Sequence, residues 1–295
     1  MPIQVEALTY TYAAGTPLAK TALADISFKV DDGSCVAIIG VTGSGKSTLI
    51  QHFNGLLKPT SGRVVVNGIN VGAKGADLAK LRRTVGLVFQ SPETQLFART
   101  LFEEVAFGPR QVSMDEMKVA RAVEEALRLV GLPQATFGQR DPFSLSGGQM
   151  RRAALAGVLA MEPAILIMDE PTAGLDGEGR AELYRFLRQL RAERQTTILL
   201  ASHDMGEVAT LAERVLVLHR GRLVLKGSPR ELFRQAHLLE EWGLDVPSLS
   251  QVAALLRRQG FPIPDKALPL DEMTQAILAY RFETGQPTGA ERHAE

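Results

Sequence analysis

Residues 35–50 read Cys35-Val-Ala-Ile-Ile39-Gly40-Val41-Thr42-Gly43-Ser44-Gly45-Lys46-Ser47-Thr48-Leu49-Ile50: an apolar run, a glycine-rich turn, then a lysine and two hydroxyls opening a helical stretch at Thr48. Glycines at that spacing let consecutive backbone N–H groups turn inward and cradle phosphate oxygens. The following helix adds the partial positive charge of its N-terminus. Lys46 is placed to neutralise phosphate charge and Ser47 to ligate a divalent cation. A glycine-rich turn with an exposed lysine is the plainer alternative, and the strand-then-helix context weighs against it.

Outward from this loop, further apolar, β-branched runs appear at 64–67, 85–90, 165–169, 197–201 and 215–219. Several are continuous rather than alternating, as expected of strands covered on both faces. Helical periodicity lies between them, at 118–130 and 180–194, with charges on one face. Strands alternating with helices predict an α/β fold with a mainly parallel sheet. A helix-rich insertion is expected at about 93–161. After Gly227, prolines at 229, 247, 262, 264 and 269 accompany short helical patterns at 249–258 and 270–281. The expected boundaries are therefore a domain at 1–227 and a small C-terminal module at 228–295, with a polar tail from about 284.

Two further stretches carry chemistry. Ile165-Leu-Ile-Met168-Asp169-Glu170 is an apolar strand ending in two carboxylates, where a nucleotide at the C-terminal edge of a parallel sheet would lie. Asp169 can hold Mg²⁺ through water. Glu170 can polarise a water for attack on a γ-phosphate. In isolation this could be a solvated strand end; beside a phosphate loop it gains weight. Leu145-Ser146-Gly147-Gly148-Gln149 precedes a helical pattern at 150–161 and reads either as a second anion site or as a plainly capped helix.

Lys plus Arg and Asp plus Glu stand at 33 each, so the formal net charge is zero. That balance argues against a dedicated nucleic-acid binder. Cys35, the only cysteine, cannot form an internal disulfide, so a reducing compartment is expected. The N-terminus lacks the pattern of a secretory signal, and no run reaches the ~18 apolar residues of a membrane span. A cytoplasmic chain whose link to a membrane runs through a partner is the expectation.

The phosphate loop, Gln90, LSGGQ at 145–149, ILIMDE at 165–170, Ala173-Gly-Leu-Asp176 and Ser202-His203-Asp204 occur in the order of an ATP-binding-cassette (ABC) ATPase, which the chain resembles over about residues 3–227. The resemblance implies a P-loop nucleotide-binding domain with a RecA-like parallel-sheet core, an N-terminal antiparallel β region, a helical subdomain and, here, a small helical C-terminal module. It implies two cassettes sandwiching two ATP molecules head to tail, which explains a second anion site. By this resemblance Tyr12 stacks on adenine, with Tyr10 its nearer rival and a plain core aromatic the alternative. Gly40, Gly43, Ser44, Gly45, Lys46, Ser47 and Thr48 bind phosphates and Mg²⁺. Gln90 senses Mg²⁺ and the attacking water. Ser146, Gly147, Gly148 and Gln149 meet the partner's γ-phosphate, and Asp176 reaches across the dimer. Glu170 is the general base, and His203 holds the γ-phosphate and orients Glu170; Ser47, Gln90 and Asp169 form the metal set.

A single cassette without coiled-coil heptads favours transport over ribosome or chromosome work, although a soluble ABC ATPase acting on ribosome or DNA is the alternative. An ATP sensor without turnover is disfavoured by intact Glu170 and His203. The stretches Phe89-Gln90-Ser-Pro92-Glu93-Thr-Gln95-Leu96-Phe97 and Phe102-Glu-Glu-Val-Ala-Phe107-Gly-Pro109 resemble the ATPases of energy-coupling-factor (ECF) transporters, with Gln95-Leu96-Phe97 matching the second of two paralogues. That resemblance implies a prokaryotic, peripheral protein at the cytoplasmic face of the membrane. Its implied partners are a paralogous ATPase, a heterodimer being favoured, a transmembrane coupling protein and a membrane substrate-binding subunit. The cargo, a vitamin or a transition-metal ion, does not touch the ATPase. Leu96, Phe97, Leu101 and Phe102 are candidates for a groove that receives the coupling protein, or else are core.

Overall fold

The computed structural model describes residues 2–112, 115–244, 275 and 278. In chain order the elements are β1 (Ile3–Tyr12), β2 (Lys20–Val30), β3 (Cys35–Ile39), α1 (Lys46–Phe53), β4 (Ser61–Val66), β5 (Ile69–Asn70), α2 (Leu78–Thr84) and β6 (Val85–Val88). Then come α3 (Leu101–Arg110), α4 (Glu116–Leu129), α5 (Gln134–Phe137), α6 (Gly147–Leu159), β7 (Ile165–Asp169), α7 (Gly177–Arg194), β8 (Thr197–Ser202), α8 (Met205–Leu211), β9 (Arg214–His219), β10 (Arg222–Gly227), α9 (Pro229–Phe233) and α10 (Ala236–Glu241).

Two sheets organise them. An antiparallel sheet of order β2-β1-β4-β5 lies at the N-terminal side, and a six-stranded sheet runs β10-β9-β3-β8-β7-β6. All neighbours in the larger sheet are parallel except β10 against β9. Its central strands read as continuous apolar runs because both faces are covered. In β7, Ile165 and Ile167 join a core with α1 and the antiparallel sheet, through Leu49, Phe53, Ile3 and Val64. Leu166 and Met168, pointing the other way, pack with Val105, Val123, Leu155 and Leu187 of α3, α4, α6 and α7. The period-2 alternation of a strand thus splits one apolar run between two cores.

The helical insertion is α3–α6, each of its longer helices started by a side-chain cap: Thr100 for α3, Asp115 for α4 and Ser146 for α6. These satisfy N–H groups that have no intrahelical acceptor. Boundaries differ from the sequence expectation in understandable places. The strand expected over 85–90 stops at Val88, because Pro92 has no N–H to give and opens a 3₁₀ turn over Pro92–Gln95. Helix α1 begins at Lys46, two residues before the expected Thr48. β4 begins at Ser61 rather than Val64, since Ser61 pairs with Thr9 of β1.

Beyond Gly227, Ser228 caps α9 with a capping box. Leu232, Leu239 and Leu244 then pack on Ala37, Ile39, Val215 and Val217. The helical patterns expected at 249–258 and 270–281 and the tail from 284 lie outside the described residues, apart from Gln275 and Leu278.

Candidate functional site

The loop after β3 enters the site because glycine removes side chains where backbone must approach backbone. A Cβ at Gly40 would run into the Leu218 carbonyl and Ser44 Oγ; one at Gly45, whose φ is +106°, would lie 2.8 Å from Leu23 Cδ2. The Lys46 Nζ donates to the Gly40 carbonyl at 2.6 Å and stands 3.8 Å from Glu170 Oε1. Burial pushes the Lys46 pKa down, opposed by the carboxylates of Glu170 and Asp169. Ser44 Oγ is buried and makes no hydrogen bond within the chain.

β7 pairs with β8 on one side and β6 on the other, and delivers two acids at its end. Asp169 is buried and hydrogen-bonded by the Ser47 side chain. Burial raises its pKa, Ser47 lowers it, Glu170 raises it and Lys46 lowers it. Ser47 and Asp169 are hard oxygen donors suited to a divalent cation. Among the described residues no group of three or more His, Cys, Asp and Glu could hold a metal alone. A cation here would therefore complete its shell with phosphate and water oxygens, the habit of Mg²⁺.

Glu170 occupies a left-handed backbone conformation, φ +51°, held by its amide donating to the Ala201 carbonyl at 2.8 Å. Such conformations are uncommon for residues with a side chain and concentrate at sites of function. Its Oε2 lies 2.7 Å from His203 Nδ1, on the turn between β8 and α8. His203 is 68% exposed. Tyr12, also exposed, lies with its hydroxyl 3.1 Å from Thr48 Oγ1. Tyr10, its rival, meets Tyr12 edge-on and stacks edge-on against buried His52. Tyr12 is thus the ring turned outward at the mouth of the loop.

A second group of expected residues gathers elsewhere. Ser146, Gly148, Gln149 and Asp176 line a cleft of about 290 Å³ between α6 and α7; no residue of the loop 40–48 lines it. Gly147 opens α6 beside them. Ser146 Oγ accepts from the Gln149 amide and Gln149 Oε1 from the Ser146 amide, so the two side chains satisfy one another. Gln90 is exposed, and its carbonyl accepts from Arg151 Nη2 at 2.9 Å. Of the expected apolar groove, Leu96 and Leu101 are core; Phe97 is exposed and meets Phe107 edge-on, and Phe102 is half-buried.

Three features escaped the sequence reading. Arg151 also donates to the Ala173 carbonyl, so one guanidinium joins the start of α6 to the segments after β6 and β7. Arg180 pairs with Asp204 at 2.9 Å. Glu207 is wholly buried behind Ser202. Arg151 follows the LSGGQ stretch directly, but nothing in the sequence names its carbonyl partners.

Comparison with known proteins identifies the family. Residues 23–173 match the family model described as "ABC transporter". Over 99% of its length the chain is 52% identical to the energy-coupling factor transporter ATP-binding protein EcfA2 of Symbiobacterium thermophilum, covering 100% of that protein. It is 47% identical to the protein of the same name from Caldanaerobacter subterraneus, over 95% of this chain and 98% of that one. Among solved structures, CbiO1 of Clostridium perfringens, part of the ABC transporter complex CbiONQ, superposes with a TM-score of 0.71 at 38% identity, covering 86% of this chain and 98% of that one. The dimeric cassette MJ0796 bound to ADP and Pi superposes with a TM-score of 0.69 at 30% identity, over 77% and 98%. The chain belongs to the ABC transporter family of ATPases and, within it, to the ATP-binding subunits of energy-coupling-factor transporters.

Proposed function

We propose that this subunit binds MgATP and hydrolyses it at an interface with a paralogous ATPase, driving uptake of a vitamin or transition-metal ion through separate membrane subunits. The observation that carries the reading is the meeting, at the end of β7, of Glu170 with His203 at 2.7 Å and Lys46 at 3.8 Å, beside the phosphate loop. A carboxylate held there by an imidazole can accept the proton of a water that attacks phosphorus. Tyr12 receives the adenine. Backbone N–H groups of 40–48 and the Lys46 ammonium balance the negative charge of the phosphates. Mg²⁺, when bound through Ser47, Asp169 and Gln90, neutralises phosphate charge. The Lys46 ammonium donates to the Gly40 carbonyl and faces Glu170, which keeps it at the phosphate loop.

Ser146, Gly147, Gly148, Gln149 and Asp176 serve the opposite nucleotide. What supports this is that Ser146, Gly148, Gln149 and Asp176 share a cleft that no residue of the loop 40–48 lines, with Gly147 beside them at the start of α6. Exposed Phe97 and Phe107, packed edge-on beyond the 3₁₀ turn that follows Gln90, would meet the transmembrane coupling protein. The subunit would sit as a peripheral protein at the cytoplasmic face of the membrane; among the described residues no helix is long and apolar enough to cross one. The heterodimer is favoured over a homodimer, and the module from 228 would help keep the pair together between cycles. The cargo does not touch this chain, and nucleic acid is not a partner, as the zero net charge favours.

Glu170→Gln tests the reading. Its hydrolysis should fall about 10²–10⁴-fold while ATP binding persists and the closed dimer accumulates. Parental turnover by the variant, measured in the assembled transporter, would remove Glu170 as the base.

A further inference from the structure

One carboxyl group is turned into the interior directly beneath the residues assigned the chemistry. Glu207, in the first turn of α8, has no solvent exposure. Its Oε2 accepts from Ser202 Oγ at 2.6 Å and from Thr172 Oγ1 at 3.4 Å. Ser202 immediately precedes His203, and Thr172 follows Glu170 by two residues. Ser202 Oγ in turn accepts from the Asp204 amide at 3.0 Å. The second carboxyl oxygen, Oε1, is buried without a hydrogen bond.

Nothing local to α8 requires an acid at this position. The helix already has its cap, since Asp204 Oδ1 accepts from the amides of Gly206 and Glu207 at 2.8 and 3.1 Å. A buried carboxyl is unfavourable unless its polar atoms are partnered, and here one oxygen is idle. Burial pushes its pKa up to about 7; the Ser202 bond opposes this, and the charges of Asp204 and Glu170 add to the rise. An apolar side chain would fill the space without that penalty. It could not, however, join two loops that arrive from different strands.

His203 needs such a brace. Its ring is 68% exposed, so little packing aims it. Its side-chain partner among the described residues is Glu170 Oε2, so the pairing depends on where the backbone of 202–204 places the ring, and Ser202 anchors that backbone to Glu207.

We propose that Glu207 is a positioning residue for ATP hydrolysis: its carboxyl, held between Ser202 and Thr172, fixes the separation of the two loops that carry His203 and Glu170. The inference rests on the roles assigned to Glu170 and His203 above. It acts through those two residues and touches neither the phosphate loop nor nucleotide.

The test is steady-state ATPase kinetics of the full-length chain assembled with its partner ATPase and membrane subunits, comparing parent, Glu207→Ala, Glu207→Gln, Ser202→Ala and the Ser202→Ala/Glu207→Ala pair. Misplacement of catalytic groups by a fraction of an ångström predicts that Glu207→Ala lowers kcat by about 10–100-fold. KM for ATP should stay within about twofold, because the groups that bind ground-state nucleotide are untouched. Glu207→Gln keeps an oxygen for Ser202 to donate to, and should recover most of kcat. Ser202→Ala should reproduce the loss, and the double variant should be no worse than either single one. Parental kcat in Glu207→Ala overturns the proposal. So does a Gln variant as impaired as Ala, or a loss shared equally by kcat and ATP affinity, either of which marks a packing role. Should Glu207→Ala fail to fold, the near-isosteric Gln and Ser202→Ala variants carry the test: parental kcat in Ser202→Ala is then the overturning result. Glu170→Gln is run alongside. Parental hydrolysis by that variant defeats the site assignment itself, whereas an inactive Glu170→Gln beside a parental Glu207→Ala defeats only the positioning role.

Discussion

Glu170 and Glu207 show how neighbouring acids acquire different properties from their surroundings. Glu170 keeps contact with a cation and an imidazole, Lys46 and His203, at the sheet edge. Glu207 is shut inside with two hydroxyls, and its pKa rises to about 7. This rise has a consequence for stability. Between the ordinary carboxylate value and pH 7 the native state holds a proton that the unfolded chain has released, so increasing pH weakens the fold through that window. Below the window both states are protonated and the effect vanishes. Above it the effect is complete, on the order of 3 kcal/mol if the whole shift were realised. Glu207→Gln cannot titrate. Its thermal midpoint should therefore gain on that of the parent between pH 4.5 and pH 7.5, and differential scanning fluorimetry at the two values reads the gap. A gap that stays constant or narrows would show that Glu207 is not held neutral at low pH in the way its burial implies.

At the scale of elements, α6 serves two ends at once. Its capping box of Ser146 and Gln149 ties off the helix N-terminus, and the same exposed turn carries the residues assigned to the opposite nucleotide. The two duties can be separated by substitution. Ser146→Ala removes the cap, with an expected loss of about 1 kcal/mol of stability. Ser146→Asp restores a good cap, because aspartate accepts the same amide bond, but it puts a negative charge where phosphate should arrive. The alanine variant should melt lower than the parent. The aspartate variant should melt near the parent yet turn over ATP more slowly, in the assembled pair, than the alanine variant does. If aspartate hydrolysed as fast as the parent, the start of α6 would not face an anion. Arg151 joins this same helix to the Gln90 and Ala173 carbonyls, so a shift of α6 is felt by both segments.

For the whole molecule, the sheet is the shared floor of three cores, and the third is closed by residues beyond the cassette boundary drawn from sequence. Leu232, Leu239 and Leu244 cover Ala37, Ile39, Val215 and Val217. Gly243 lies close to Val41 of the phosphate loop, and Trp242 lies against His219 at the end of β9. A chain ended after Gly227 should lose these apolar contacts and melt well below the parent, since each buried leucine contributes about 1.5–3 kcal/mol. A chain ended after Leu244 keeps this cluster, and should retain ATP binding while pairing less well with its partner ATPase. Equal thermal midpoints for the two truncations would contradict the packing role of 229–244; undiminished pairing by the longer one would contradict dimerisation through the module. Local order along the chain was legible to the extent that it is a property of near neighbours. The loop 40–48, the doubly buried strands and the Asp169-Glu170 ending need only spacing, glycine and periodicity to be seen. The antiparallel pairing of β10 on β9 and the burial of Leu96 and Leu101 were not visible, because an apolar or alternating residue does not say which distant surface will cover it. The pairing of His203 with Glu170 and the separateness of the second anion site follow from the family resemblance alone, not from local pattern; the 2.7 Å contact of that pair and the brace of Glu207 behind them likewise join groups far apart in sequence. Those relations arise when parallel strands align in register and bring distant segments to one sheet edge; short-range patterning sets which residues are available there, and only tertiary packing sets which of them touch.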